Sequence, residues 1–339
     1  MFSGILLTRF QVFVFILALL LVLTLAFPIN AFANQSNDGE SRFFSLKEIE
    51  LSEKRELAPL DFIQASDGTP LAFRSYRSRN AKAILIFYHG AGAHSGLLYN
   101  HIGVRLRDEF QITAYMPDIR GHGKSGGKRG DAPSEKQVWD DITTVINHIR
   151  SIHPTTPIFL GGHSAGAGLV LNYSSWDQRQ AVAGYALVAP YLGFRSKTSR
   201  ESDEGKYSFS EVNVAKFVIN SITKGLLFSH SKAVEFNFPE DILEKNPEIV
   251  TFNTVTMSNA VTPSSPGFQL HQLKQFGLWI GSEDEAFDPG KVIVFAENNS
   301  RKNANIEIDV IDGEKHFSIV LKAADFIGTW MLSLPEQDF

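Results

Sequence analysis

Short apolar runs recur along this chain, spaced widely enough to hold a helix between neighbours. Ala83 to Gly90 (AILIFYHG) is continuous, and ITAYMPD, PIFLGG, VAGYALVAP, FGLWIG and NIEIDVID are of the same kind. A strand with one wet face alternates apolar and polar residues, whereas a strand buried on both faces is apolar nearly throughout. Helical stretches such as Ser134 to Ile152 and Ala165 to Tyr173 lie between most of these runs. Strands alternating with helices need crossover connections. The expected class is therefore α/β, a mostly parallel central sheet with helices on both faces. Ahead of the first buried run, LDFIQAS and TPLAFRSYR alternate on either side of Asp67-Gly68, a two-residue hairpin signal. In such sheets chemistry gathers at the carboxyl ends of the strands.

The 339 residues are 43% hydrophobic, enough for a sizeable core, so disorder is excluded as an overall description. Lys and Arg total 32 against 37 Asp and Glu, for a formal charge of −5. A nucleic-acid binder normally carries a basic face, so no nucleic-acid partner is expected. There is no cysteine, which excludes a disulfide framework, thiolate catalysis and cysteine-ligated metal. The histidines show no H-E-x-x-H or other ligand spacing, and no cofactor motif accompanies them, so neither metal nor cofactor is expected.

Residues 1–33 differ in kind from the rest. Arg9 is their only charged side chain, the chain is apolar from Phe10 to Phe27 except for Gln11 and Thr24, and Ala31-Phe32-Ala33 precedes Asn34. A charged start, an apolar stretch and an A-x-A end describe a secretory signal, and the stretch is also long enough to serve as an anchor. Export is expected, to the periplasm or beyond, with the segment cleaved or retained through residues 10–27. Residues 34–58 are polar and read as a tether, and the folded domain is expected over 59–339. Within it, residues 191–272 lack clear strand periodicity and are nearly charge-balanced. They are expected to form an inserted cap, with Val214, Phe217, Val218, Ile222 and Leu226 at helical spacing.

The candidate chemistry centres on Gly162-His163-Ser164-Ala165-Gly166, a G-x-S-x-G between an apolar strand and a helix. By chance a chain of this length contains that motif about one time in ten, so its placement is what counts. The serine must sit on a tight turn where flanking side chains would collide with strand and helix. Serine needs a base to take its proton, and the base needs an orienting acid. Downstream, FGLWIG leads into Ser282-Glu283-Asp284-Glu285-Ala286-Phe287-Asp288, and NIEIDVID into Gly313-Glu314-Lys315-His316. His316 is the expected base, because His230 and His271 lie in the cap region. Asp284 is the favoured acid, with Asp288 and Glu283 as rivals; Asp312 is too near His316 in sequence to face it from an opposing loop. Oxyanion donors are expected from the amide of Ala165 and, in the glycine-rich loop His89-Gly90-Ala91-Gly92, from that of Ala91.

In this order, His89 to Gly96 (HGAGAHSG), Asp118 to Ser125 (DIRGHGKS), Gly162 to Gly166, Gly281 to Asp284 and His316 resemble the monoacylglycerol lipases and lysophospholipases of the α/β-hydrolase group known as serine aminopeptidase S33. The resemblance covers roughly Pro59 to Pro190 and Phe276 to Trp330. It implies an α/β-hydrolase fold, a Ser164–Asp284–His316 triad and an oxyanion hole at Ala91 and Ala165. Asp118, Arg120 and His122 match a family motif that looks structural. The lipases usually carry Met-Gly-Gly after the nucleophile, whereas this chain has Ala165-Gly166-Ala167.

The expected function is an exported serine hydrolase cleaving carboxylic esters through an acyl-enzyme. Its expected partner is a small ester or lipid such as a monoacylglycerol or lysophospholipid, met at a membrane surface. An amidase or peptidase using the same triad, and a non-catalytic exported binding module, are the alternatives.

Overall fold

Asp67-Gly68 turns the chain back on itself: β1 (Leu60–Gln64) and β2 (Pro70–Tyr76) pair antiparallel, with Gly68 at φ 80°. The computed structural model describes residues 54–200, 209–302 and 304–335; the expected export segment and the tether up to residue 53 lie outside them. No helix among the described residues is long and apolar enough to cross a membrane.

The chain continues through β3 (Ala83–Tyr88), α1 (Asn100–Glu109), β4 (Ile112–Pro117), α2 (Glu135–Ile152), β5 (Ile158–His163), α3 (Ala165–Ser174) and β6 (Gly184–Val188). After an excursion come α6 (Val255–Val261), α7 (Pro266–Gln272), β10 (Gln275–Gly281), α8 (Pro289–Asn299), β11 (Asn305–Ile311) and α9 (Ile319–Ser333). Eight strands form one sheet in the order β1-β2-β4-β3-β5-β6-β10-β11. Pairing is parallel from β4 to β11, and only the β1–β2 and β2–β4 pairs are antiparallel.

The apolar runs are apolar because both faces are covered. Along β3, Ile84, Ile86 and Tyr88 join a core beneath α2 and α3, while Leu85 and Phe87 join another beneath α1 and α9. In β10, Leu278 and Ile280 face the first core and fully buried Trp279 the second. Helix α2 illustrates the local logic: Ser134 Oγ accepts the Gln137 N–H as N-cap, and Val138, Ile142, Val145 and Ile149 form its buried stripe. Each such side chain contributes about 1.5–3 kcal/mol on burial.

The inserted segment differs from expectation in three ways. It contains an antiparallel sheet, β7 (Ser210–Val212), β8 (Lys232–Phe236) and β9 (Phe252–Thr254), whose strands of three to five residues are too short to display a period. Its helix α4 (Val214–Ile222) ends before Leu226, where Lys224 and Gly225 take positive φ. Val214, Val218 and Ile222 are 63%, 49% and 76% exposed, so these side chains of the stripe do not pack as core, and Phe217 is half-buried. Helix α5 (Glu240–Lys245) completes the cap. Helix α6 packs on α2 and α3 as well as on β8 and β9, and α7 packs on α3 and α8, so the end of the inserted segment links the cap to the body of the fold. Residues 201–208 lie outside the described residues.

Candidate active site

Ser164 sits between β5 and α3 with φ 54° and ψ −118°, a backbone conformation that a non-glycine residue adopts only when its surroundings enforce it. Three main-chain bonds do so: Ser164 N–H donates to Val188 O (3.0 Å), and Ser164 O accepts from Tyr191 (3.1 Å) and Gly168 (3.2 Å). Both flanking glycines are sterically required. A methyl on Gly162 would meet the Gly166 carbonyl carbon at 2.4 Å, and one on Gly166 would meet Tyr88 O at 2.4 Å.

His316, in the loop between β11 and α9, places Nε2 3.0 Å from Ser164 Oγ. Its Nδ1–H donates to Asp284 Oδ2 at 2.8 Å. Asp284 follows β10 and is fully buried. The amides of Ala286 (2.9 Å) and Phe287 (2.7 Å) converge on its Oδ1, which leaves Oδ2 to the imidazole. The rival carboxylates are engaged elsewhere or exposed. Asp288 caps α8 by accepting Lys291 N–H, Glu283 is exposed, and Asp312 lies on the surface beside Ser282.

The glycine-rich loop after β3 abuts the serine. A methyl on Gly90 would lie 3.4 Å from Ser164 Cβ. Ala165 opens α3, and a helix leaves its first N–H groups without intrahelical partners. Among the described residues, neither the Ala91 nor the Ala165 amide donates to a protein acceptor.

Three residues that the sequence did not single out hold this geometry. Tyr99 Oη accepts Gly90 N–H (2.8 Å) and donates to His163 Nδ1 (3.0 Å). His163 Nε2–H donates to the carbonyl of His316 (2.9 Å), and the amide of His316 donates to Glu285 Oε2 (2.8 Å). Burial holds His163 well below its ordinary imidazole range, in keeping with one nitrogen donating and the other accepting. The only signal in the sequence was position: His163 precedes the serine and Glu285 follows the acid.

Asp118, Arg120 and His122 do not touch Ser164. Asp118 accepts the amides of Ser95 (2.6 Å) and Lys124 (2.8 Å), and buried Arg120 bridges Asp67 and Asp141. His89 donates Nδ1–H to Gly90 O and accepts Ile119 N–H, so this motif braces the glycine-rich loop. Burial lowers His89 and His122 to about 3.

The cap contributes an aromatic cluster that reaches Phe317, the residue after His316. Phe209 packs 5.2 Å from Phe238, 5.7 Å from Phe236 and 6.5 Å from Phe317 between ring centroids. Phe287 stands edge-on to the His316 ring at 5.2 Å.

The sequence profile of the family described as serine aminopeptidase, S33, matches residues 79–317. This chain belongs to that family. Among curated relatives, a monoacylglycerol lipase of Mycolicibacterium smegmatis is 33% identical over 94 residues, 28% of this chain and 33% of that protein. A monoglyceride lipase of Rattus norvegicus is 28% identical over 128 residues, 38% of this chain and 41% of that protein. The matches therefore span well under half of the length of these relatives. A soluble variant of monoglyceride lipase from Saccharomyces cerevisiae, solved with a substrate analogue, superposes with a TM-score of 0.63 at 14% identity. That superposition covers 82% of this chain and 94% of that one, and it establishes the shared α/β-hydrolase fold. Within the S33 family, the match spans the serine, both downstream loops and His316.

Proposed function

We propose that this S33-family chain is an exported serine hydrolase that cleaves carboxylic esters of lipid-like substrates. The observation that carries the reading is the hydrogen-bonded line from Ser164 Oγ through His316 to Asp284. Ser164 Oγ attacks the carbonyl carbon as His316 Nε2 takes its proton, and Asp284 orients the ring and balances the imidazolium. Charge arriving on the carbonyl oxygen is met by the amides of Ala91 and Ala165. His316 returns the proton to the leaving alcohol. Water, deprotonated by the same nitrogen, then hydrolyses the acyl-enzyme.

Monoacylglycerols or lysophospholipids are the proposed substrate class; the monoacylglycerol and monoglyceride lipases among the relatives support the first, and the aromatic cluster of the cap supports a lipid-like substrate. The exposed stripe Val214, Val218, Ile222 and Leu226 supports contact with a membrane surface, where burial of apolar side chains replaces exposure to water. The apolar segment 10–27 supports export.

The test is hydrolysis of p-nitrophenyl esters from acetate to palmitate by residues 34–339, beside Ser164→Ala. Activity lost by several orders of magnitude in the variant supports the reading. Cleavage of anilides but not esters would move it to an amidase, and no turnover of either, with Ser164→Ala binding ligand unchanged, would leave a binding module. Flotation of the same protein with lipid vesicles tests membrane contact, and failure to float would overturn that part.

A further inference from the structure

The main chain of His316 is held on both sides of its Cα by the sequence neighbours of the other two residues in its hydrogen-bonded line. His163, one residue before Ser164, donates Nε2–H to its carbonyl at 2.9 Å. Glu285, one residue after Asp284, accepts its amide on Oε2 at 2.8 Å. The loop carrying His316 is tied at neighbouring positions as well. Its main-chain tether to the acid loop is Glu283 N–H to Glu314 O (2.9 Å), two residues short of the histidine, and Lys315 N–H turns onto the Ser318 hydroxyl. The His316 amide is thus met by a carboxylate side chain, and a bond to an ionised acceptor is shorter and stronger than one between neutral groups.

We propose that Glu285 is a positioning residue of this catalytic centre, its side-chain oxygen fixing the main chain of His316 so that Nε2 meets Ser164 and Nδ1 meets Asp284. The inference rests on the serine-hydrolase reading above. Asp284 and Glu285 divide one histidine between them. Asp284 is turned inward by the amides of Ala286 and Phe287 and takes the ring, whereas half-buried Glu285 reaches back to the backbone. His163 holds the His316 carbonyl, in the peptide group on the other side of the Cα, and is itself fixed by Tyr99. Removing Glu285 frees one end of the clamp and lets the ring drift. Misplacement of a reacting group by about 1 Å costs on the order of 100-fold in rate.

The experiment compares Glu285→Ala with Glu285→Gln, which keeps an oxygen acceptor without the charge. Glu285→Ala should lower kcat about 10- to 100-fold at nearly unchanged KM, and Glu285→Gln should recover most of that loss. Independently of any substrate, the low-field imidazole N–H proton resonance, assigned by its absence in His316→Ala, should be present in wild type and Glu285→Gln and broadened or lost in Glu285→Ala. Urea midpoints establish that each variant is folded; where Glu285→Ala is not, Glu285→Thr replaces it. Wild-type kcat and an unchanged resonance in the folded truncation would overturn the proposal, as would equal losses in the truncation and Glu285→Gln. A wild-type protein without esterase activity would count against the hydrolase reading, while the resonance would still decide the role of Glu285.

Discussion

Tyr99 Oη lies 3.0 Å from His163 Nδ1 and at the same time accepts the Gly90 amide at 2.8 Å, so one buried hydroxyl joins the glycine-rich loop to the turn that carries Ser164. Burial pushes the Tyr99 phenol above its ordinary range, which keeps it a donor to the neutral imidazole. Tyr99→Phe would leave a buried N–H and a buried ring nitrogen without partners. Stability should fall by about 1–3 kcal/mol in urea unfolding. Turnover of a p-nitrophenyl ester should fall with KM little changed, and an unaltered urea midpoint would contradict this account.

Four carboxylates crowd the loop after β10, and their contacts predict different consequences. Asp284→Asn should lower kcat about 10⁴-fold while the protein stays folded, because an amide in that place favours the wrong imidazole tautomer. Asp288→Asn should leave kcat near wild type, since Asp288 only accepts the Lys291 amide at the start of α8, a cap that asparagine can also form. Side-by-side kinetics decide it, and equal losses in both variants would refute the assignment.

Gly92 holds φ 68°, and its carbonyl accepts Val250 N–H at 2.8 Å, so the cap leans on the loop that offers the Ala91 amide. A methyl there would meet Val250 O at 2.3 Å and Phe238 Cε2 at 2.7 Å. Gly92→Ala should cost about 2 kcal/mol of stability and impair turnover more than it impairs folding. Thermal melts and kinetics on one preparation would show whether the two effects separate.

Three buried histidines make stability depend on pH. His89 and His122 are lowered from 6.5 to about 3 and His163 well below its ordinary value, in each case chiefly by burial. Above pH 6.5 the imidazoles are neutral in both folded and unfolded chains. As pH falls from 6.5 toward 3, the unfolded chain binds protons that the folded chain refuses, so stability present at neutral pH is lost. Each residue should contribute about 1.4 kcal/mol of loss per pH unit inside that window. Urea midpoints at pH 7.5, 6.5 and 5.5 should therefore decline, and a flat series would show that these side chains do take up protons in the fold.

Sequence alone determined what depends on local pattern. Ala83 to Tyr88 and Phe276 to Gly281 read as strands covered on both faces because a short unbroken apolar run, without polar alternation, fits a strand buried on both sides. Ser164 was legible because only glycines at 162 and 166 tolerate the contacts of that turn. Tertiary structure decided what depends on distant partners. Glu283, Asp284 and Asp288 are chemically alike, and the inward turn of Asp284 comes from the Ala286 and Phe287 amides and from a histidine 32 residues away. The strands at 210–212, 232–236 and 252–254 were too short to show a period, and only their mutual pairing makes them a sheet. The spacing of Val214, Val218 and Ile222 did not show what the stripe of α4 faces, and the fold leaves these side chains exposed. Tyr99, His163 and Glu285 carry no periodic signature, because each acts through one or two hydrogen bonds made across the fold.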